Sequence, residues 1–224
     1  MATLLLRLAA PLQAWGSSSK FNIRNTEREP TKSGIIGMIA AAMGIQRNGD
    51  QKLLEPLNRL RFGVRVDREG TLMKDFHMVH EYKNGKMVDS HLTERYYLSD
   101  AVFLAGFESD SREYLEKIAD ALDNPVYPLY LGRRSCPPTL PVVIDISDDS
   151  LIDALEKAAS LTETKSIYKR IVYESNEGGT VVQDVPVSFS QLHRIHGYRY
   201  KKEESIPVKE KNISSAEHDP MAEL

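Results

Sequence analysis

The sequence predicts an α+β fold that contains more strand than helix. Two stretches have a helical pattern, at about 32–45 and 112–122, and short apolar or alternating runs typical of strands precede, separate and follow them. A polar stretch at 81–98, with an Asn84-Gly85 turn, interrupts the strands and is typical of an inserted arm. These three observations together favour one mixed domain with an insertion.

The first third of the chain combines a buried strand, a polar loop and an apolar helix. A dense apolar run at 3–9 predicts a strand in a central position, and residues 13–30 form a polar, basic loop. Thr31 is a typical N-cap for the helix at 32–45, which is apolar nearly all round and therefore packs on several sides. Gly34 inside this helix permits close approach of another backbone or a ligand.

The following segments alternate between helix and strand patterns. In order they are a short helix at about 50–60, a strand at 62–66, a turn at 67–70, a strand to about 80, the arm, a strand at 101–107, the amphipathic helix at 112–122, and β segments near 142–146, 170–174, 180–187 and 196–201.

The order strand, helix, strand, strand, strand, helix matches a ferredoxin-like or RRM-type domain with an insertion. We therefore predict such a domain at 1–145 with the arm at 81–98, then a β-rich extension at 146–201. A charged tail at 202–224 is poor in large apolar residues and is expected to be loosely held.

Composition predicts a soluble protein of the cytoplasm. Of 224 residues, 41% are hydrophobic and 27% charged, and the single cysteine, Cys136, excludes an internal disulfide framework. Neither a secretory leader nor an apolar run of membrane-spanning length is found, so no membrane contact is expected.

The net charge of −3 does not by itself indicate a nucleic-acid binder, but the charges are unevenly distributed. Residues 1–34 carry an excess of three positive charges, whereas 145–156 contain five acidic residues and no basic one. Such a layout could turn one face toward phosphates and another toward protein or solvent, although ordinary surface scatter explains it equally well.

The helix start Lys32-Ser33-Gly34 is the first candidate binding site. Free N–H groups at a helix start, beside a glycine and a lysine, can grip a phosphate. The alternative is a plain capped helix whose glycine serves packing. The spacing of a Walker A loop is missing, which disfavours a nucleotide triphosphatase.

Two further segments offer groups that suit nucleic acid. Arg133 and Arg134 lie in a loop stiffened by prolines, where guanidinium forks can bind phosphate oxygens, or can form ordinary surface ion pairs. Trp15 lies beside Gly16 and either stacks on a base or anchors the core.

No catalytic residue, metal site or cofactor is predicted. His77 and His80 lie three apart on a predicted strand and therefore face opposite sides. His193 and His196 have no acidic or cysteine partner nearby, which argues against zinc, and Cys136 has no obvious base.

Three blocks resemble a known family. They are Leu12–Gly16, Pro30–Gly34 leading to Met43–Arg47, and Tyr130–Pro137, and together they are similar to the CasD-type subunits of type I-E Cascade, within the RAMP superfamily of CRISPR-associated proteins. The resemblance implies an RRM-like RAMP domain with a projecting thumb, here the arm. It also implies contacts to the 5′ handle of the CRISPR RNA (crRNA) at Gln13, Trp15, Lys32, Ser33, Gly34, Arg133 and Arg134. To these the basic loop adds, from charge alone, Lys20, Arg24 and Arg28.

The function implied is that of a non-catalytic RNA-binding subunit in antiviral defence. It would hold the crRNA 5′ handle, contact the CasC backbone subunit and the large CasA subunit, and meet target DNA only through the complex, while a separate CasE endonuclease cuts the precursor. The alternative is a metal-independent endoribonuclease, as in type I-C relatives, for which His77, His80, Tyr82 and Lys83 are the nearby candidates. A protein-interaction module unrelated to RNA is a third hypothesis.

Overall fold

A computed structural model describes residues 1–16, 22–49, 51–163, 168–190 and 192–207. Within these ranges the protein is a mixed α/β structure made mostly of antiparallel sheet. Lys20 and residues 208–224 of the predicted tail lie outside the described residues, whereas residues 202–207, expected to be loosely held, form the end of the last described strand.

The N-terminal elements agree closely with the sequence pattern. Thr31 is the N-cap of the first helix, and its Oγ1 accepts a hydrogen bond of 3.3 Å from the Gly34 N–H, as predicted. The elements are β1 (Ala2–Ala9), β2 (Leu12–Gln13), β3 (Ile23–Arg24) and α1 (Lys32–Ala42).

The helices of the remaining chain differ from the prediction in two places. The expected helix at 50–60 is a 3-10 turn followed by one short helix, and a helix not predicted from the sequence forms after residue 150. In order they are the 3-10 turn (Gln51–Leu54), α2 (Glu55–Asn58), β4 (Arg61–Arg68), β5 (Thr71–Lys83), β6 (Lys86–Ser99), β7 (Val102–Ser109), α3 (Arg112–Asp123), β8 (Val143–Ser147), α4 (Leu151–Lys157), β9 (Tyr168–Ser175), β10 (Thr180–Ser188) and β11 (Ile195–Pro207).

Seven strands form one antiparallel sheet in the order β10-β11-β9-β4-β7-β1-β8. Strands β5 and β6 leave this sheet as a long hairpin, which is the arm. Asn84 and Gly85 make its turn with positive φ angles of 51° and 75°, the conformation that a two-residue hairpin turn requires. The arm begins at Thr71, earlier than the expected start at residue 81, and its base pairs with β2 and β3.

The sheet is covered by helices on both faces. Alternation along β1 sends Leu4, Leu6 and Leu8 to the face covered by α1 and α3, and Leu5 to the face covered by α4. No helix in the described part of the chain combines the length and the apolar character needed to cross a membrane.

Helix α4 is held in place by a fully buried arginine. Arg65 on β4 pairs with Asp67 at 2.7 and 3.0 Å and donates to the backbone oxygens of Leu155, Ala158 and Ala159 at the C-terminal end of α4. All five guanidinium donors are thus satisfied, which a buried charge requires.

Candidate nucleic-acid interface

A groove of about 730 Å³ lies over the solvent side of α1, and we call it the α1 groove. Helix α1 contributes small residues, the loop between α3 and β8 contributes one side, and the segments at 45–54 and 189–194 contribute the other. The lining residues are Ser33, Gly34, Gly37, Met38, Ala40, Ala41, Ile45, Gln46, Arg47, Gly49, Gln51, Leu54, Tyr127, Pro128, Tyr130, Gly132, Arg134, Phe189, Ser190 and Arg194.

The loop on the first side follows α1 from one end to the other. Near the C-terminal end of α1, the Val126 N–H donates to the Ala42 carbonyl at 2.9 Å. Near the N-terminal end, the Leu131 carbonyl accepts from the Ala14 N–H at 3.1 Å, beside Trp15 and the start of α1. The groove is therefore elongated along the helix axis, about 16 Å for eleven residues.

Two glycines of α1 allow aromatic rings of the chain to pack closely against the helix beside the groove. A Cβ added at Gly34 would lie 2.9 Å from Cε3 of Trp15, so the buried indole packs directly against the helix backbone. A Cβ at Gly37 would lie 3.4 Å from Cζ of Phe189, so this ring rests on the helix from the groove side. Gly34 was predicted to permit close approach of a backbone or a ligand. At both glycines the group that approaches closely is an aromatic ring of the chain itself.

Three arginines make the groove electropositive. Arg47, Arg134 and Arg194 form no hydrogen bond or ion pair with any residue that the structure describes, and no carboxylate is among the described lining residues. Burial, followed by repulsion from Arg47, lowers the pKa of the Arg194 guanidinium. Positive charge is therefore concentrated here without a described counter-charge.

Aromatic side chains accompany these charges. Tyr127, Tyr130 and Phe189 line the same groove, and Tyr127 is exposed. Guanidinium groups bind phosphates and flat rings stack on unpaired bases, so the combination suits a single nucleic-acid strand.

Three of the residues predicted to bind RNA lie together in this groove. Ser33 and Gly34 line it at the start of α1, and Arg134 lines it from the opposite loop. The helix start and one member of the arginine pair thus lie on one surface.

Gln13 and Trp15 lie in the core instead. Both side chains are at most 1% exposed, and the Trp15 indole N–H donates to Gln13 Oε1 at 3.1 Å. The Gln13 amide in turn donates to the carbonyls of Ala101 and Leu8 at 2.8 and 3.2 Å. Neither side chain has a surface on which a base could stack, which corrects their assignment as handle contacts and favours the core alternative for Trp15.

Lys32 belongs to a buried ion-pair cluster of Lys32, Glu174, Asp184 and Arg199. Its ammonium binds Glu174 at 2.7 Å, and its backbone N–H donates to Asp184 Oδ2 at 2.9 Å. Asp184 also binds Arg199 through both oxygens, at 2.6 and 2.8 Å. Burial lowers the pKa of Lys32, against the opposing effect of Glu174.

The anion predicted at the helix start is thus a carboxylate of the chain itself. Asp184 accepts a hydrogen bond from the first N–H group of α1. The Lys32 ammonium donates to Glu174 and, at 3.0 Å, to the Asn58 carbonyl. A phosphate would have to displace these partners. This corrects the prediction of an open phosphate grip at Lys32.

Arg133 and Arg134 have different environments although they are adjacent. Arg133 donates to the carbonyls of Tyr96, Arg24 and Asn25 at 2.9, 2.6 and 3.3 Å. Its guanidinium also lies 4.6 Å from the centre of the Tyr97 ring. Arg133 therefore joins the base of the arm to the β3 segment, while Arg134 turns toward the groove.

The basic loop residues lie apart from the groove. Arg24 and Arg28 are exposed, and neither is among the groove-lining residues. Lys20 is outside the described residues, so its predicted contact has no structural counterpart.

Other chemically interesting groups lie on the arm or in the interior. His77 and His80 are on opposite faces of β5, with His77 Nε2 2.6 Å from Asp75 Oδ2. Glu81, Asp89 and His91 bring three potential ligand atoms within 4.8 Å of one another, all exposed. Burial raises the pKa of the Cys136 thiol, which keeps it protonated and poorly nucleophilic.

Sequence reasoning missed Arg47, Arg194, Tyr127 and Phe189. Arg47 ends one of the three family-like blocks, and Arg194 lies in the histidine segment considered only for zinc. Their common position depends on three segments that are distant in sequence. Only the absence of acidic neighbours around Arg194 was a local signal.

Comparison with known proteins gives a consistent result. Residues 3–201 match the model of a family described as CRISPR-associated protein (Cas_Cas5). The CRISPR system Cascade subunit CasD of Escherichia coli (strain K12) is 35% identical over 155 residues, which are 63% of this chain and 69% of that protein.

Two solved structures are similar over most of the chain. One is described as a Cas protein, with 39% identity and a TM-score of 0.70, covering 92% of this chain and 95% of its own. The other belongs to a CRISPR RNA-guided surveillance complex, with 34% identity and a TM-score of 0.76, covering 92% and 90%.

Proposed function

This chain belongs to the Cas5 family of CRISPR-associated proteins, and on that premise we propose that it is a subunit of an RNA-guided surveillance complex that holds the 5′ handle of the crRNA in the α1 groove. Its similarity to the Cascade subunit CasD and to a chain of a CRISPR RNA-guided surveillance complex supports the assembly. The handle assignment rests on the groove itself.

The observation that carries this proposal is the set of three groove arginines without described counter-charges. A protein with a net charge of −3 gains no general attraction to RNA, so binding must come from local charge. Arg47, Arg134 and Arg194 supply that charge at a surface that also offers stacking rings. Affinity shared with other subunits would make a strongly basic protein unnecessary.

The groove favours a single strand over a duplex. Its floor includes the small side chains of Ser33 and Ala41, where a sugar or phosphate can approach α1, while Trp15 and Phe189 fill the space beside the two glycines. Unstacked bases can lie against Tyr127, Tyr130 or Phe189, contacts worth about 1–3 kcal/mol each. A handle at the 5′ end of a crRNA offers such bases, as a duplex does not.

We assign contacts with the CasC backbone subunit and the large CasA subunit in part to the arm. Phe76, Met78 and Tyr82 lie at even-numbered positions of β5, with His80 between the last two, and all three are exposed. Leu92 pairs directly with Met78, and Met87 pairs with Tyr82, so two exposed apolar pairs lie on either side of the polar pair His80–Ser90. Such exposed apolar pairs on a two-stranded hairpin are typical of a protein interface. Target DNA would be met only through the assembled complex.

We also infer that one half of the large sheet is the ferredoxin-like, RRM-type part of the fold. The chain order β1, α1, β4, β7, α3, β8 is a β-α-β-β-α-β unit, and its strands lie in the order β4-β7-β1-β8. Both helices cover the same face. The arm is inserted between β4 and β7, and β9–β11 extend the sheet beyond β4.

The test is co-expression of the full chain with its CRISPR array and partner subunits, followed by identification of the RNA that is retained. We expect the complex to retain crRNA with an intact 5′ handle, and Arg134→Ala to reduce that retention. Arg59→Ala, at an exposed arginine outside the groove, serves as the control. A complex that forms normally without crRNA would overturn the proposal.

A second assay addresses the endoribonuclease alternative. The purified chain is incubated with repeat RNA in EDTA, and the products are separated on a denaturing gel. We expect intact RNA, because His77 and His80 face opposite sides of β5 and cannot act on one phosphodiester. Site-specific cleavage abolished by His77→Ala or His80→Ala would replace the structural role with a catalytic one.

A further inference from the structure

Two of the groove arginines lie near one another although they are 147 positions apart in sequence, at 47 and 194. Both line the α1 groove, and the Arg47 charge is close enough to act on Arg194. Arg47 follows the C-terminal end of α1, whereas Arg134 follows the loop segment packed beside its N-terminal end. The groove thus has a pair of guanidinium groups toward one end and a single one toward the other.

Such a pair is unfavourable without an anion. Both guanidinium groups are exposed, so solvent weakens their mutual repulsion without removing it. No described residue neutralises either guanidinium, while Asp50, adjacent in sequence to the lining residue Gly49, lies outside the described residues. A fold that keeps such a pair gains nothing in stability from it, which points to a ligand.

Phosphate is the ligand that matches this arrangement. Guanidinium groups present planar forks of N–H donors that bind phosphate oxygens in a bidentate manner, and a phosphodiester has two free oxygens, one for each fork. A carboxylate has the same charge, but the neighbouring rings and small floor suit a nucleotide.

We infer that Arg47 and Arg194 together bind a single phosphate group of the RNA strand, at the end of the α1 groove opposite Arg134. The strand then lies along α1, with its phosphates held at the two ends and its intervening bases near Phe189 and Tyr127. This inference rests on the proposed function for the identity of the strand, but the phosphate site itself does not.

The first experiment uses the purified full chain and inorganic phosphate. The midpoint of thermal unfolding is measured with rising phosphate and with sodium chloride at matched ionic strength, for wild type, Arg47→Gln, Arg194→Gln, the double variant and Arg59→Gln. Phosphate should raise the midpoint of wild type and of Arg59→Gln more than chloride does. Arg47→Gln or Arg194→Gln alone should remove that excess. Without phosphate, neither substitution should lower the midpoint, because each removes the repulsion between the two guanidinium groups.

The second experiment uses the assembled complex and handle RNA at several salt concentrations. Each single substitution should weaken binding by about ten- to a hundredfold, the range for a charged hydrogen-bonded contact. Each should also reduce the slope of log K against log salt by about 0.7, the value for one phosphate of a single strand. The double variant should lose little more than either single variant, because both arginines serve one phosphate.

Two results would overturn the inference. The first is an equal phosphate-induced rise of the unfolding midpoint in wild type and the double variant. The second is a loss of RNA-binding free energy in the double variant equal to the sum of the losses in the two single variants. If Arg134→Ala weakens RNA binding while the double variant retains it, the paired site fails and the handle proposal stands. If the phosphate response follows the expectation but the complex retains no RNA, the site stands and the handle proposal fails.

Discussion

Two charged regions of this protein contact α1 but differ in whether their positive charges are paired. In the buried ion-pair cluster, Lys32 and Arg199 each contact a carboxylate within hydrogen-bonding distance. In the α1 groove, Arg47, Arg134 and Arg194 contact none among the described residues. The difference separates charges that maintain the fold from charges that are available to a ligand.

The comparison also explains why a helix start is a poor predictor of a binding site. The first N–H group of α1 does attract an anion, but Asp184 of β10 supplies it from within the chain. Charges become available to a ligand when the fold provides no partner. That condition holds in the groove and does not hold at the helix start.

The largest effect is expected from a substitution that breaks the buried ion-pair cluster. Asp184→Ala would leave Arg199 buried without its carboxylate and the Lys32 N–H without an acceptor, so the free energy of unfolding should fall by about 3–5 kcal/mol. Urea denaturation of the full chain measures it. Asp148→Ala, which removes an exposed pair with Arg112, should change it by less than about 1 kcal/mol. Similar losses for the two variants would contradict the distinction.

A smaller effect is expected where the two regions meet, at Gly34. Gly34→Ala would put a methyl group 2.9 Å from the Trp15 ring and 3.0 Å from Thr31 Oγ1, and such overpacking costs about 1–3 kcal/mol. Gly37→Ala makes only an ordinary contact with Phe189 and should gain about 0.5–1 kcal/mol of helix propensity. Urea midpoints of the two variants measure the contrast. Equal stabilities would show that the ring adjusts freely.

The neighbouring arginines of the 130–136 loop test the groove more directly. Arg134→Ala should reduce handle affinity about tenfold and flatten its salt dependence, with unchanged unfolding, because this side chain has no described partner. Arg133→Ala should instead lower stability by about 1–2 kcal/mol, because three carbonyls lose their donor. Thermal unfolding and filter binding on both variants separate the roles. Identical phenotypes would indicate that both residues act in the same way.

The smallest effect concerns pH near the groove. Burial, then the Arg194 charge, lowers the pKa of His196, and Asp184 only partly opposes this. In the unfolded chain His196 binds a proton near pH 6.5, whereas in the folded chain it stays neutral to a lower pH. The free energy of unfolding should therefore decrease as pH falls from about 7 to about 5.5. Urea midpoints across this range measure the slope. His196→Gln should reduce it, and an unchanged slope would assign it to another group.

Local chemistry made much of the fold predictable. The Thr31 cap and the Asn84-Gly85 turn depend on residues next to each other, and both are present as expected. Helix α4 was missed because seven residues carry a weak pattern, and its position depends on Arg65 from a distant strand. Likewise, the burial of Trp15 and Lys32 depends on Gln13, Asp184 and Glu174, whose positions no local pattern reveals.

The same limit applied to the groove. Ser33, Gly34 and Arg134 were found because helix starts and paired arginines are visible in sequence. Arg47 and Arg194 line one groove only because β10 returns beside α1, which joins two parts of the chain that are distant in sequence. Tertiary assembly, and not residue type, selected which arginines were left without partners.

The Arg133 contacts connect the position of the arm to the position of the loop that carries Arg134. Strand β5 has 13 residues, so the arm extends about 40 Å from its base. The base of the arm is held where the Arg133 guanidinium contacts Tyr96, Tyr97 and the β3 segment. Because Arg133 and Arg134 are consecutive in the chain, any displacement of the arm at this junction would also displace the loop that carries Arg134.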